Sequence, residues 1–97
     1  MVKWSIPAKQ DLKYIYDYIA TDSKFYAAKV AQDIVEKSEK LNKFPEIGRI
    51  VQEIDNPNIR ELFAYSYRLI YKISSSDVEI LAVINAKQDF SSGDFEK

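Results

Sequence analysis

Chemistry near neutral pH in this chain falls to Lys, Arg, Tyr and the carboxylates, because its 97 residues include no His and no Cys. That excludes Ser-His-Asp and Cys-His nucleophilic machinery, two-histidine acid–base hydrolysis, thiolate zinc sites and disulfides. Asp11 with Asp17 and Glu36 with Glu39 are the carboxylate pairs worth weighing. Neither stands beside a Gly-rich loop or a third oxygen ligand, so no metal and no cofactor is expected. The seven tyrosines, above all Tyr65, Tyr67 and Tyr71, could stack bases only with cations interleaved among them. Between residues 58 and 90 the cations Arg60, Arg68, Lys72 and Lys87 are matched by Glu61, Asp77, Glu79 and Asp89. The region is neutral, and the whole chain carries a net charge of -1, so no strong direct grip on nucleic acid is expected.

The elements that hold these residues follow from the apolar spacing. At 46% hydrophobic and 30% charged residues, with two Gly and three Pro, the chain reads as one globular domain. No apolar run reaches the ~20 residues of a membrane span, and the start lacks a signal-peptide core. We read a soluble cytoplasmic protein. Val2-Lys3-Trp4-Ser5 alternates as a short strand, and Ser5 followed by Pro7 marks a helix start. Ala8, Leu12, Ile15, Tyr16 and Ile19 then recur at helical spacing, up to about Ala20. In that helix Tyr16 reads as core and Tyr14 and Tyr18 as rim; Trp4 also reads as core.

Thr21-Asp22-Ser23 offers a turn and a second cap, after which Ala27, Val30, Ala31, Ile34, Val35, Ser38 and Leu41 keep the helical period. Asp33 with Lys37, Glu36 with Lys40 and Glu39 with Lys43 are acid-before-base pairs on its outer face. Pro45 and Gly48 stop the helix, and a connector leads to Pro57. Segments 59–65, 67–73 and 78–84 read as three strands of an antiparallel meander. In the second, Tyr67, Leu69, Tyr71 and Ile73 share one face, with Arg68, Ile70 and Lys72 on the other. The third is apolar on both faces and so belongs inside the sheet.

The expected fold is therefore α+β in the order β-α-α-β-β-β, a helical hairpin on one face of a mainly antiparallel four-stranded sheet. The domain spans 1–90, followed by a polar tail at 91–97. Two helices cover a single sheet face, so the other should fold under the tail or meet a partner.

Several segments carry a resemblance: Trp4-Ser5; Asp11-Leu12 and Ile15-Tyr16-Asp17-Tyr18-Ile19; Phe44-Pro45-Glu46-Ile47-Gly48-Arg49; Arg60-Glu61-Leu62; Tyr67-Arg68-Leu69-Ile70-Tyr71-Lys72-Ile73; and Val78-Glu79-Ile80-Leu81-Ala82-Val83. In their order and spacing they resemble the ParE/RelE superfamily of type II toxin-antitoxin toxins. The resemblance implies a bacterial toxin held inactive by a co-encoded antitoxin, ParD-like or similar. It also implies a choice of target, since the ParE branch poisons DNA gyrase without being an enzyme and the RelE branch cuts mRNA on the ribosome.

In the ribonuclease branch a cluster of Lys and Arg and often a C-terminal Tyr do the chemistry. By position, Arg60, Arg68, Lys72 and Lys87 would be that cluster, with Phe90 where the tyrosine belongs. The neutral sheet, the missing phenol and Asn85-Ala86-Lys87-Gln88-Asp89 in place of a His-bearing segment favour a gyrase inhibitor that is not an enzyme. The alternatives are a ribosome-dependent endoribonuclease and a non-toxic antitoxin-binding module. On the favoured reading Arg60, Arg68, Lys72 and Lys87 contact the antitoxin or target. Arg68 has a structural alternative, pairing with Glu61 or Glu79 on neighbouring strands.

Overall fold

A computed structural model of the chain describes residues 1–86. Strand β1 (Val2–Trp4) leads into helix α1 (Ile6–Ala20), helix α2 (Lys24–Glu39) and a 3-10 turn at Lys40–Asn42; then come β2 (Arg49–Ile50), β3 (Ile59–Ala64), β4 (Tyr67–Ile73) and β5 (Val78–Asn85). The sheet has five strands in the order β1-β5-β4-β3-β2, with β1 parallel to β5 and the other pairs antiparallel. The fifth strand corrects the expected four. Arg49 and Ile50, within the expected connector, pair with Glu61 and Arg60. So short a stretch has no hydrophobic period for the sequence to show.

Both helix starts are capped as their sequences require. The Ser5 hydroxyl accepts the Ala8 N–H and the Ser23 hydroxyl accepts the Tyr26 N–H, each at 3.1 Å. Helix α2 ends at Glu39, and Leu41 is buried from the 3-10 turn. Glu39 and Lys43 therefore do not share a helix, and Asp33 pairs with Lys29 rather than Lys37.

The hairpin face of the sheet holds the main core, including Ile15, Val30, Ile34, Leu69, Tyr71 and Ile80. Trp4 is half-buried at its margin, donating its indole N–H to the Ser38 hydroxyl at 3.3 Å. Tyr16 is likewise half-buried, while Tyr14 and Tyr18 are exposed as expected of rim residues.

On the second face Ile59, Ile70 and Ala82 form a smaller cluster, closed by Val51 and Ile54. The loop after β2 thus covers part of the face that sequence reasoning left to the tail or a partner. The tail at 91–97, Lys87 and Phe90 lie outside the described residues.

Candidate functional site

Strand alternation separates the basic residues that the sequence grouped. Arg60 lies with Leu62 and Ala64 on the hairpin side of β3; Arg68 and Lys72 lie on the opposite side of β4. The side chain of each then meets a different environment.

Arg68 is 5% exposed. Its Nε donates to Glu61 Oε1 at 2.7 Å and its Nη2 approaches the same oxygen at 2.6 Å. Nη1 donates to Glu53 Oε2 at 2.9 Å, and Nη2 to Glu53 Oε1 at 3.1 Å, so the loop carboxylate grips the guanidinium with both oxygens. Glu61, itself 2% exposed, uses its second oxygen to accept the Arg49 Nε at 2.6 Å. The Arg49 guanidinium lies 5.0 Å from the centroid of the Phe63 ring. Four alternating charges form one network that fastens β2 and the 51–58 loop to the sheet. Of the partners considered from sequence, Glu61 is the one found. Glu79 sits opposite Lys72, because Arg68 pairs in register with Ile84.

Arg60 works as a clamp. Its Nε donates to the Pro57 carbonyl at 3.0 Å, and Nη1 donates to the Gly48 carbonyl at 3.0 Å and to that of Glu46 at 3.4 Å. Tyr71 closes the same turn from beneath, donating its hydroxyl to the Pro45 carbonyl at 2.7 Å. The Phe44 and Ile47 side chains on this fastened turn remain exposed. Lys72 is exposed on the second face, leaving its ammonium to solvent.

Three tyrosines gather at the far end of the sheet. Tyr65 opens the β3–β4 turn in the left-handed region, at φ 55°, a costly conformation for a bulky residue. Its hydroxyl donates to the Asp33 carboxylate on α2 and its ring meets Tyr26 edge-on at 6.4 Å. The hydrogen bond to Asp33 pushes the Tyr65 phenol up to about 12. Half-buried Tyr67 lies beside this pair and, with Tyr14 and Tyr18, walls a cleft between α1 and the end of β5. Asp11 lies in the same cleft, where its Oδ2 accepts the Val83 N–H at 3.0 Å.

Sequence reasoning missed Glu53, Arg49 and the placing of Asp11. Glu53 sits in a connector without period, and Asp11 meets a strand 72 residues away. Acidic residues near the right strands were visible; which of them turns inward was not.

The family model described as ParE toxin of type II toxin-antitoxin system, parDE, matches residues 2–90. The chain belongs to this family. Among solved structures, the chromosomal ParDE toxin-antitoxin system from P. aeruginosa superposes with a TM-score of 0.75 at 26% identity, over 89% of this chain and 95% of that one. The toxin-antitoxin complex RelBE2 from Mycobacterium tuberculosis shares the fold, with a TM-score of 0.65 at 20% identity, covering 88% of this chain and 95% of that one. No curated protein sequence matches significantly. In this ParE-family toxin the Pro-Glu-Ile-Gly turn and the Tyr-bearing strand β4 are joined, since Tyr71 of the strand holds Pro45 and Gly48 of the turn.

Proposed function

We propose that this ParE-family toxin arrests growth by binding DNA gyrase in the cytoplasm, without catalysing a reaction, and that a co-encoded ParD-like antitoxin keeps it inactive. The observation that carries the non-enzymatic reading is the state of Arg68. Cleaving RNA without histidine requires cationic groups aimed at a phosphate that gathers charge in the transition state. Here Arg68 spends its guanidinium on Glu61 and Glu53, and Arg60 spends its own on backbone carbonyls. Of the cations weighed from sequence this leaves Lys72, exposed on the second face, and Lys87 for contacts with a partner. The antitoxin reading is supported by the two solved relatives, both toxin-antitoxin assemblies.

The test is expression of the chain alone from a tight promoter, reading plasmid supercoiling with DNA-damage induction against the rate of protein synthesis. Relaxed or broken DNA with early translation intact is the expected result. Immediate translation arrest with intact DNA would replace this reading with the ribonuclease one. Full growth with soluble, folded protein would leave only an antitoxin-binding module.

A further inference from the structure

The cleft between α1 and the end of β5 has a volume of about 410 Å³. Tyr14, Tyr18 and Tyr67 line it with Ile84 and Asn85, and among the described residues its one acid is Asp11. Tyr14 and Tyr18 are 74% and 69% exposed, so their rings stand free to receive a ligand. The Asp11 carboxylate is engaged on one oxygen by the Val83 N–H. Among the described residues no Lys or Arg charge acts on it. Burial holds its carboxyl above the ordinary carboxylate range, against the smaller, opposing effect of the Val83 hydrogen bond.

A carboxylate in one cleft with three tyrosine side chains is complementary to one class of group. A planar guanidinium stacks on tyrosine faces, is drawn to the negative face of each ring and donates paired N–H groups to a carboxylate. A carboxylate ligand would meet Asp11 as a like charge. A purely apolar one would leave the Asp11 carboxylate deeper in a medium of low dielectric without compensation.

We propose that the Tyr14–Tyr18–Tyr67 cleft, with Asp11 in its lining, is a socket for an arginine side chain presented by the antitoxin. The assignment of the arginine to the antitoxin rests on the toxin-antitoxin reading above; the socket itself rests on the geometry of the cleft.

The probe is N-acetyl-arginine methylamide, titrated into the isotopically labelled full chain and followed by NMR. Its neutral isostere, the citrulline derivative, serves as control. Shifts are expected at Asp11, Tyr14, Tyr18, Tyr67 and Asn85, with citrulline binding at least about fivefold more weakly. Asp11→Asn should erase that preference while keeping the fold, since the amide oxygen still accepts the Val83 N–H. Tyr18→Ala, on an exposed ring, should weaken arginine binding without loss of stability. Equal binding of the two derivatives, shifts elsewhere or none at all would overturn the socket. Binding that develops only after Lys87→Ala would seat the chain's own lysine there and likewise overturn it. The antitoxin should displace the bound arginine derivative. A socket that binds arginine but is not emptied by an antitoxin that does restore growth would overturn the assignment to the antitoxin. An antitoxin that fails to restore growth would instead overturn the toxin-antitoxin reading.

Discussion

The backbone N–H of Gly48 donates to the hydroxyl of Tyr71 at 3.0 Å, joining a loop to the middle strand of the sheet across 23 residues of chain. The contact leaves no room for a side chain: a Cβ on Gly48 would lie 2.5 Å from the Glu61 carbonyl oxygen and 2.6 Å from the Tyr71 hydroxyl. Both neighbours are fixed, the first by β-pairing and the second by full burial of Tyr71. Gly48 is needed here for close approach.

Tyr71→Phe should therefore cost about 1–3 kcal/mol, since it strips a buried N–H and a carbonyl of their partner while keeping the ring. Gly48→Ala should cost a similar amount or more through overpacking. Urea unfolding of each variant against the parent measures both, and a Tyr71→Phe protein as stable as the parent would remove the hydroxyl from its role as a tie.

Arg68→Ala should be among the most damaging single changes, at about 3–5 kcal/mol, because the buried Glu61 loses its buried cation and keeps the largely exposed Arg49. Replacing both partners, Arg68→Met with Glu61→Leu, should recover much of that loss by filling the site with apolar volume. If the double variant is no better than Arg68→Ala, charge burial is not what the network resolves.

Lys72→Ala should leave stability within about 0.5 kcal/mol of the parent, as an exposed substitution away from any tie. Its effect should fall on partner binding, measured by titration calorimetry with the antitoxin. Unchanged affinity would take Lys72 out of the interface.

Two carboxylates give opposite pH responses. The hydrogen bond from Arg68 holds Glu53 below its usual 4.5, so its stabilisation is complete above that value and is lost as pH falls through the lower folded one. Burial holds Asp11 above its usual 3.8, so its charged form weighs against the folded state at neutral pH and its protonation favours folding as pH falls. Asp11→Asn should thus unfold at an equal or higher urea concentration at pH 7, whereas Glu53→Gln should unfold at a lower one. Both differences should shrink toward pH 3. A Glu53→Gln deficit that persists unchanged in acid would point to lost packing rather than lost charge.

In tyrosine-labelled protein followed by NMR through alkaline pH, the Tyr65 phenol should titrate near about 12. Asp33→Asn should bring it back toward 10 by removing the anion that accepts its proton. A Tyr65 that titrates near the ordinary 10 in the parent would break the proposed tie between the β3–β4 turn and α2.

Elements that satisfy their own hydrogen bonds or repeat a period were open to reading in the chain. Ser5 and Ser23 announce the helix starts, Ala27 to Ile34 announce the buried stripe of α2, and the alternation from Tyr67 to Ile73 assigns each side chain of β4 to a face. The residue order also carried the family. What the sequence by itself determined is thus local: caps, periods, the absence of His and Cys chemistry, and the order of elements. Tertiary structure decided the rest. Strand β2 exists because β3 offers it a register, and Arg68 is neutralised because a loop without period brings Glu53 over the sheet. Asp11 is drawn onto β5 because β1 ends its pairing at Ile80, leaving the Val83 N–H for a side chain to take. The physical reason is that periodicity fixes which way a side chain points, whereas the partner it meets depends on chain segments whose separation in sequence carries no such signal.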